Sequence, residues 1–325
     1  MVNTCNLLEL PKLELGIIRS HGIASLFPEN FAIENNFSEN IFVDYYRNGG
    51  DYWIHLFHRH DIKKLCYDAF VDRGYTGPIT NMSGSPLSDF LGLYMKYKRD
   101  NNFVCELFKP HPLMEKHGIS FSGVDGIYIK NVCYIDEVLS SDFPSLINGK
   151  NRNILKKSHR SGNHAIIDLD IDRFIKSYNL SMVAKSTSKN YFIDPLFSSQ
   201  FINDSSFILS VLDLTGEVVA SGLFFLSDMM MEYGLSYVSS VGRKTGAGVH
   251  LIEGAYNYCK LANTNIFYLG GGVSSSDSDP LYKFKKSLSN RVAEYHIFPV
   301  IYDDEKYQCL VENKPNGNLL SYRGD

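Results

Sequence analysis

Between Phe207 and Gly272 the chain reads FILSVLDLTGEVVASGLFFLSDMMMEYGLSYVSSVGRKTGAGVHLIEGAYNYCKLANTNIFYLGGG. Phe207 to Asp213 is apolar and rich in β-formers, Thr215-Gly216 supplies a turn, and Val218 to Leu226 returns as a second strand. Ser227-Asp228 turns again, and Met229 to Ser239 makes a third strand. The basic, glycine-rich segment Arg243-Lys244-Thr245-Gly246-Ala247-Gly248 then reads as a loop, followed by a helix from Val249 to about Leu261 with Ile252, Ala255, Tyr256 and Cys259 on one face. Asn265 to Leu269 is a further strand, running into Gly270-Gly271-Gly272. Strands followed by a helix and a returning strand place this part of the chain in the α/β (α+β) class.

The loop carries the chemistry. A strand that feeds a glycine-containing loop opening a helix offers backbone N–H groups and the positive end of the helix dipole to an anion. Arg243 adds a full charge, and glycine at 246 and 248 removes side chains that would block a phosphate. A polar surface turn uses the same residues. The order of the surrounding elements favours the pyrophosphate reading.

Arg243-x-x-Gly246-x-Gly248 resembles the Gln/Arg-x-x-Gly-x-Gly/Ala loop of GNAT N-acyltransferases. That resemblance implies a coenzyme A site made by Arg243, Lys244, Thr245, Gly246, Ala247 and Gly248, with acyl-CoA, acetyl-CoA foremost, as donor. Asn265 to Gly272 followed by Leu281-Tyr282-Lys283-Phe284-Lys285-Lys286-Ser287 resembles the end of Fem-type transferases, tandem-GNAT enzymes that add amino acids to peptidoglycan precursors, and of related acyltransferases of surface-polysaccharide pathways. Arg152-Asn153-Ile154-Leu155-Lys156-Lys157-Ser158-His159-Arg160-Ser161-Gly162 is similar to that family's Arg-x-Ile-[Arg/Lys]-Lys-Ala-x-Lys-x-Gly segment. Tyr75-Thr76-Gly77-Pro78 and His111-Pro112-Leu113 resemble its Tyr-x-Gly-Pro and His-Pro-Leu stretches. The resemblance spans roughly residues 40 to 312 and implies tandem GNAT-like domains, each a mostly antiparallel mixed sheet flanked by helices. The expected division is 1–145, with a leader segment, and 146–325, with the donor loop. The charged helical arm that several Fem-type proteins carry within the second domain has no counterpart here.

Length and composition fit two domains: 325 residues, 44% hydrophobic and 21% charged. No apolar run approaches the ~18 residues needed to cross a bilayer. Glu9 and Glu14 near the start do not suit a secretory signal, so a cytoplasmic location is expected. Cys5, Cys66, Cys105, Cys133, Cys259 and Cys309 are scattered without a Cys-x-x-Cys pair, which points to reduced, mostly buried thiols. His58 and His60 share a strand face near His55, but only Asp61 is at hand to complete a ligand set, and no metal is expected.

A net charge of −4 argues against general nucleic-acid coating, and DNA is not an expected partner. Lys150, Arg152, Lys156, Lys157 and Arg160 nonetheless form a run with no acidic residue. It suits a diphosphate, a tRNA end or a peripheral membrane contact, and a solvated helix face accounts for it equally. The family resemblance favours ligand binding, with Arg152 foremost and Lys156 beside it.

Asp279 or Ser278 as N-cap and Pro280 at the first helical position start a helix on which Lys283 and Lys286 share a face, while Lys285 points elsewhere beside Phe284. In acyl transfer an amine attacks a carbonyl and an oxyanion develops, which a lysine can stabilise. By resemblance Phe284-Lys285 matches the family's Phe-Lys pair, whose lysine plays this part. The attacking amine also needs a base, for which Glu232, Tyr233, Tyr237, Asp277 and Asp279 are open candidates, Glu232 and Tyr237 being assigned to opposite strand faces by alternation. Gly271, with its flanking glycines, either admits a substrate or makes a tight turn, and Ser274-Ser275-Ser276 reads as a lid loop.

Three functions remain in play. The first is an N-acyltransferase moving an acyl group from acyl-CoA to an amino group of a sugar, nucleotide-sugar, lipid-linked sugar or amino-acid intermediate of the cell envelope. The second is a Fem-like aminoacyltransferase using aminoacyl-tRNA. The third is a non-catalytic binding module.

Overall fold

The computed structural model describes all residues except 36–38, 63–65, 72, 115–125, 188–190, 197–201, 313–318 and 324–325. The strands are β1 (Asn3–Asn6), β2 (Ile41–Asn48), β3 (Asp51–Ile62), β4 (Cys66–Phe70), β5 (Ile79–Thr80), β6 (Phe103–Phe108), β7 (Ile127–Ile135), β8 (His164–Asp168), β9 (Ser206–Leu212), β10 (Val218–Leu226), β11 (Met230–Val238), β12 (Ile266–Gly270) and β13 (Arg291–Ile301). The helices are α1 (Lys12–Ser20), α2 (Pro28–Glu34), α3 (Gly84–Asp100), α4 (Phe143–Leu146), α5 (Gly149–Arg160), α6 (Ile171–Ala184), α7 (Ser240–Thr245), α8 (Ala247–Leu261), α9 (Pro280–Lys286) and α10 (Asp304–Val311).

Two compact units result. One holds Met1–Ile18, Phe37–Ile129 and Glu294–Asp325; the other holds Arg19–Asn36 and Lys130–Ala293. The N-terminal stretch is thus shared: β1 belongs to the first unit and α2 to the second.

In the first unit the strands run β1-β2-β3-β4-β6-β13, antiparallel except for the parallel pair β4/β6, which α3 connects. Leu87, Phe90, Leu91, Tyr94 and Lys98 of α3 fall at helical spacing and are buried. They cover Trp53, Phe57, Phe103 and Phe108 on the sheet, with the Trp53 ring 5.0 Å from Phe90 and 5.4 Å from Tyr94. Lys98 is drawn into this core by two carboxylates, Asp44 at 2.9 Å and Glu106 at 3.2 Å. Tyr94 donates to Asp44 at 2.7 Å and Tyr302 to Glu106 at 2.6 Å, while His55 Nε2 lies 2.7 Å from Glu106. His55 is therefore a core residue, and the rings of His58 and His60 pack at a tilt of 42° with centroids 4.2 Å apart.

The second unit repeats this plan. Its order is β7-β12-β11-β10-β9-β8, again antiparallel except for one parallel pair, β11/β12, bridged by α7 and α8. The helix expected from Val249 begins at Ala247, and its buried stripe contains Ile252, Ala255, Tyr256 and Cys259. Helices α4 and α5 are separated at Ile147-Asn148, where the Asn148 side chain accepts from Asn151 N–H at 2.9 Å and starts α5. All six cysteines are free, but only Cys105, Cys133 and Cys259 are buried.

Candidate functional site

Strands β11 and β12 pair only through Met230↔Ile266, Met231↔Phe267 and Glu232↔Tyr268. Beyond that register β11 continues to Val238 and β12 to Gly270 without further pairing to each other, so the parallel strands part toward their carboxyl ends. Such a split leaves an opening in the sheet where a ligand can meet backbone groups.

Lys285 occupies this place. Its Nζ lies 5.5 Å from the Tyr233 ring centroid and 3.4 Å from where a Cβ on Gly270 would stand. Gly270 also has φ +74°, so a side chain there would be strained and would crowd the amine. Burial pulls the Lys285 ammonium down to about 8; Lys130 pushes the same way, while Cys133 and Asp279 oppose it. A lysine so tuned is poised near neutral pH.

The register of α9 puts it there. Asp279 Oδ1 accepts from the N–H groups of Leu281 (2.8 Å) and Tyr282 (2.9 Å), with Pro280 at the first helical position. Its Oδ2 accepts from Ser274 N–H (3.0 Å) and Oγ–H (3.1 Å), which ties down the serine loop expected as a lid. Burial works against ionisation, but these donors hold the Asp279 carboxyl down to about 2. Asp279 is a structural cap. Tyr282 faces inward three residues before Lys285, whereas Lys283 and Lys286 are exposed. Asn151 of α5 donates to the carbonyl of Ser287 at 3.0 Å and to its hydroxyl at 2.7 Å, fixing the end of α9.

The base candidates separate. Opposite β10, Tyr233 pairs with Phe224 but Ser236 pairs with Gly222, so Gly234-Leu235 forms a bulge that resets the alternation by one residue. Glu232 and Tyr237 therefore share a face, contrary to the alternation expected from sequence, and it is the face turned away from Tyr233 and Lys285. Glu232 accepts from Ser25 N–H at 2.8 Å, and Tyr237 packs on Phe174 of α6 with ring centroids 6.2 Å apart. Neither is brought together with Lys285. Asp277 is exposed, and Asn131 Nδ2 lies 3.4 Å from it. The Asn131 carbonyl in turn lies 3.2 Å from the Cβ position of Gly271, so Asp277 is on the β12 side of the opening.

Burial raises Glu232 to about 7, the hydrogen bonds from Ser25 and Ala24 only partly opposing it. With the folded value above the unfolded one, folding takes up a proton, and stability declines as pH rises from about 4.5 through about 7. Urea titration of Glu232→Gln at pH 5 and pH 8 is expected to show the variant gaining on the wild type by on the order of 3 kcal/mol between the two. An equal difference at both pH values would contradict the placement.

The glycine-rich segment is not an open loop. Ser239 caps α7, accepting from Gly242 N–H at 3.0 Å, so Arg243, Lys244 and Thr245 form the last turn of a helix. Gly246, at φ +84°, ends that helix and begins α8. A Cβ on Gly246 would lie 2.6 Å from Ile154 Cγ2 and 2.9 Å from the Ile154 carbonyl oxygen, because α5 crosses in front of it. Ala247 is buried, Thr245 Oγ accepts from Asn163 at 3.1 Å, and the exposed Arg243 donates to the Val238 carbonyl at 2.8 Å. Gly248 reaches toward α9, with Phe284 Cζ 3.9 Å from its Cβ position. The segment and Lys285 are therefore neighbours, and the space that a side chain at 246 would take is filled by Ile154.

On α5, Asn151, Leu155 and Ser158 face inward. Arg152, Lys156 and Arg160, four residues apart, line an exposed stripe. Arg152 Nη1 donates to the Ile147 carbonyl at 2.6 Å, whereas Lys150, Lys156, Lys157 and Arg160 have no ion-pair partner among the described residues. Lys130 and Cys133 lie beside Lys285 and were missed by the sequence reading, whereas Gly270 belongs to the glycine run read there as admitting a substrate or making a turn.

No family model matches the sequence, and the search of curated proteins returns no match. Solved structures do match. FemX superposes with a TM-score of 0.70 at 11% identity, covering 95% of this chain and 99% of FemX. This chain has a Fem-like, GNAT-type fold. The C-terminal domain of a putative lysylphosphatidylglycerol synthetase from Agrobacterium fabrum gives 0.60 at 12% identity, covering 87% of this chain and 89% of that one. A tandem GNAT protein from the clavulanic acid biosynthesis pathway gives 0.50 at 9% identity over 93% and 99%. The Fem-like fold is thus built of two GNAT-type sheets, consistent with the repeated strand order.

Proposed function

We propose that this Fem-like protein is a transferase of cell-envelope biosynthesis that moves an acyl group from an activated ester to an amino group, with Lys285 stabilising the oxyanion. The observation that carries the reading is the half-buried Lys285 amine at the parting of β11 and β12. The amine nitrogen attacks the ester carbonyl, the carbonyl electrons move onto oxygen beside the Lys285 ammonium, and the C–O bond to the donor breaks as the carbonyl reforms. The proton lost by the amine passes, by way of water or Asp277, the carboxylate of the candidate set on the β12 side of the opening, to the leaving oxygen, which departs as the alcohol.

The donor that fits best is aminoacyl-tRNA. Ile154 fills the space beside Gly246 that its missing side chain would leave to a pyrophosphate, and the exposed cations of α5 lie on the same helix as Ile154. Fem-type enzymes, by the resemblance set out above, use this donor. Acyl-CoA is the second reading, supported by the exposed Arg243 and Lys244 beside Gly248.

Filter binding of mixed aminoacyl-tRNA and calorimetry with acetyl-CoA separate the two. Charge reversal in Lys156→Glu/Arg160→Glu is expected to weaken tRNA binding at least about tenfold and to flatten its salt dependence, since each lost phosphate contact lowers the slope by about one. Acetyl-CoA is expected not to bind. Micromolar acetyl-CoA binding lost in Arg243→Ala would overturn the tRNA assignment in favour of acyl-CoA.

A further inference from the structure

Away from Lys285, α5 and α8 bring together His159, His250 and Glu253. His250 and Glu253 are three residues apart on α8 and share a face; His159 comes from the last turn of α5. His159 Nε2 is 2.9 Å from Glu253 Oε2, His250 Nε2 is 3.9 Å from the same oxygen, and the three ligand atoms all lie within 4.8 Å of one another. We propose that these three side chains form a binding site for a divalent transition-metal ion of the zinc class, with the fourth position open to solvent.

The donor set suits that class. Two imidazoles and one carboxylate are borderline ligands favoured by zinc, and an open fourth position is common at three-ligand sites. Bonds of about 2.0–2.2 Å place tetrahedral ligand atoms roughly 3.3–3.6 Å apart. The two separations from Glu253 bracket that range, and the exposed His159, 51% accessible in its side chain, is free to adjust.

The surroundings hold His250 in ligand form. Its Nδ1 is 3.1 Å from the buried Ser158 Oγ, which also accepts from Asn163 Nδ2 at 2.8 Å. With Nδ1 so engaged, Nε2 is the nitrogen turned toward Glu253, as outer-sphere partners do for metal-binding histidines. A simple ion pair explains His159 and Glu253 but leaves His250 Nε2 at 3.9 Å, outside hydrogen-bond reach. An ion there would pin the end of α5 to the first turns of α8 and hold Ile154 over Gly246.

Chelator-treated full-length protein titrated with zinc by calorimetry, and with cobalt by visible absorption, tests this. One equivalent is expected to bind. His159→Ala, on an exposed side chain whose loss leaves the core intact, and Glu253→Gln are each expected to weaken binding at least about tenfold, and Ser158→Ala by about 10–100-fold. His58→Ala, at the separate His58/His60 pair, is expected to leave it unchanged. Absence of zinc binding, binding unaltered by His159→Ala, or loss only in His58→Ala would overturn the site.

Discussion

Replacing Lys285 by alanine is expected to lower the transfer rate at saturating donor by about 10²–10³-fold, the usual cost of removing one preorganised oxyanion donor. The amine is held by the cap at Asp279, the anchor of Asn151 on Ser287 and the absence of a side chain at Gly270, so little reorganisation is needed as charge develops. Donor binding should change little, because the interaction forms in the transition state. Lys285→Arg keeps the charge but not the reach of a single ammonium, and is expected to fall between the two. A single-turnover assay with each variant, beside donor affinity, gives the check; a rise in Kd with unchanged rate would make Lys285 a binding residue only.

Lys98→Met is expected to destabilise the first unit by about 3–5 kcal/mol, because it strands Asp44 and Glu106 in a dry core. Burial alone would raise Glu106, but Lys98 first, then His55 and the hydrogen bonds from His55 and Tyr302, hold it down to about 2. With the folded value depressed, that carboxylate contributes stability above its unfolded value near 4.5, lost as pH falls through about 2. The penalty in the variant should therefore shrink in acid, where Glu106 can be neutralised by a proton. Adding Asp44→Asn and Glu106→Gln should restore much of the loss. Urea denaturation of the single and triple variants at pH 7 and pH 4.5 measures this; a cost under about 1 kcal/mol at pH 7 would show that the cluster is more hydrated than its geometry implies.

The elements legible in the sequence were those with strong local patterning. The apolar, β-rich runs between Phe207 and Leu226 gave β9 and β10, the turn at Thr215-Gly216 joined them, and Asp279-Pro280 marked the start of α9. Lys285 stood out because Phe284-Lys285 resembles the Phe-Lys pair of Fem-type transferases. Tertiary context decided the rest. Ser239 is an ordinary strand-end residue in the sequence, and only the structure shows its hydroxyl capping α7, so that Arg243 to Thr245 lie in a helical turn. Gly246 invites an anion in the sequence, but only the fold shows Ile154 against it. The bulge at Gly234-Leu235 is invisible to a period-two reading, and it moved Tyr237 onto the face of Glu232. The repeated strand order was hidden because the two units share a plan of pairing and no motif.

The most direct test of the central claim is the pH dependence of enzyme-dependent ester loss from mixed aminoacyl-tRNA, with water as acceptor, for wild type and Lys285→Arg between pH 6 and pH 10. If the Lys285 ammonium stabilises the oxyanion, the rate relative to the uncatalysed reaction should fall as pH rises through about 8, and Lys285→Arg should remove that fall. A wild-type profile without a decline near 8, or the same decline in the arginine variant, would contradict it.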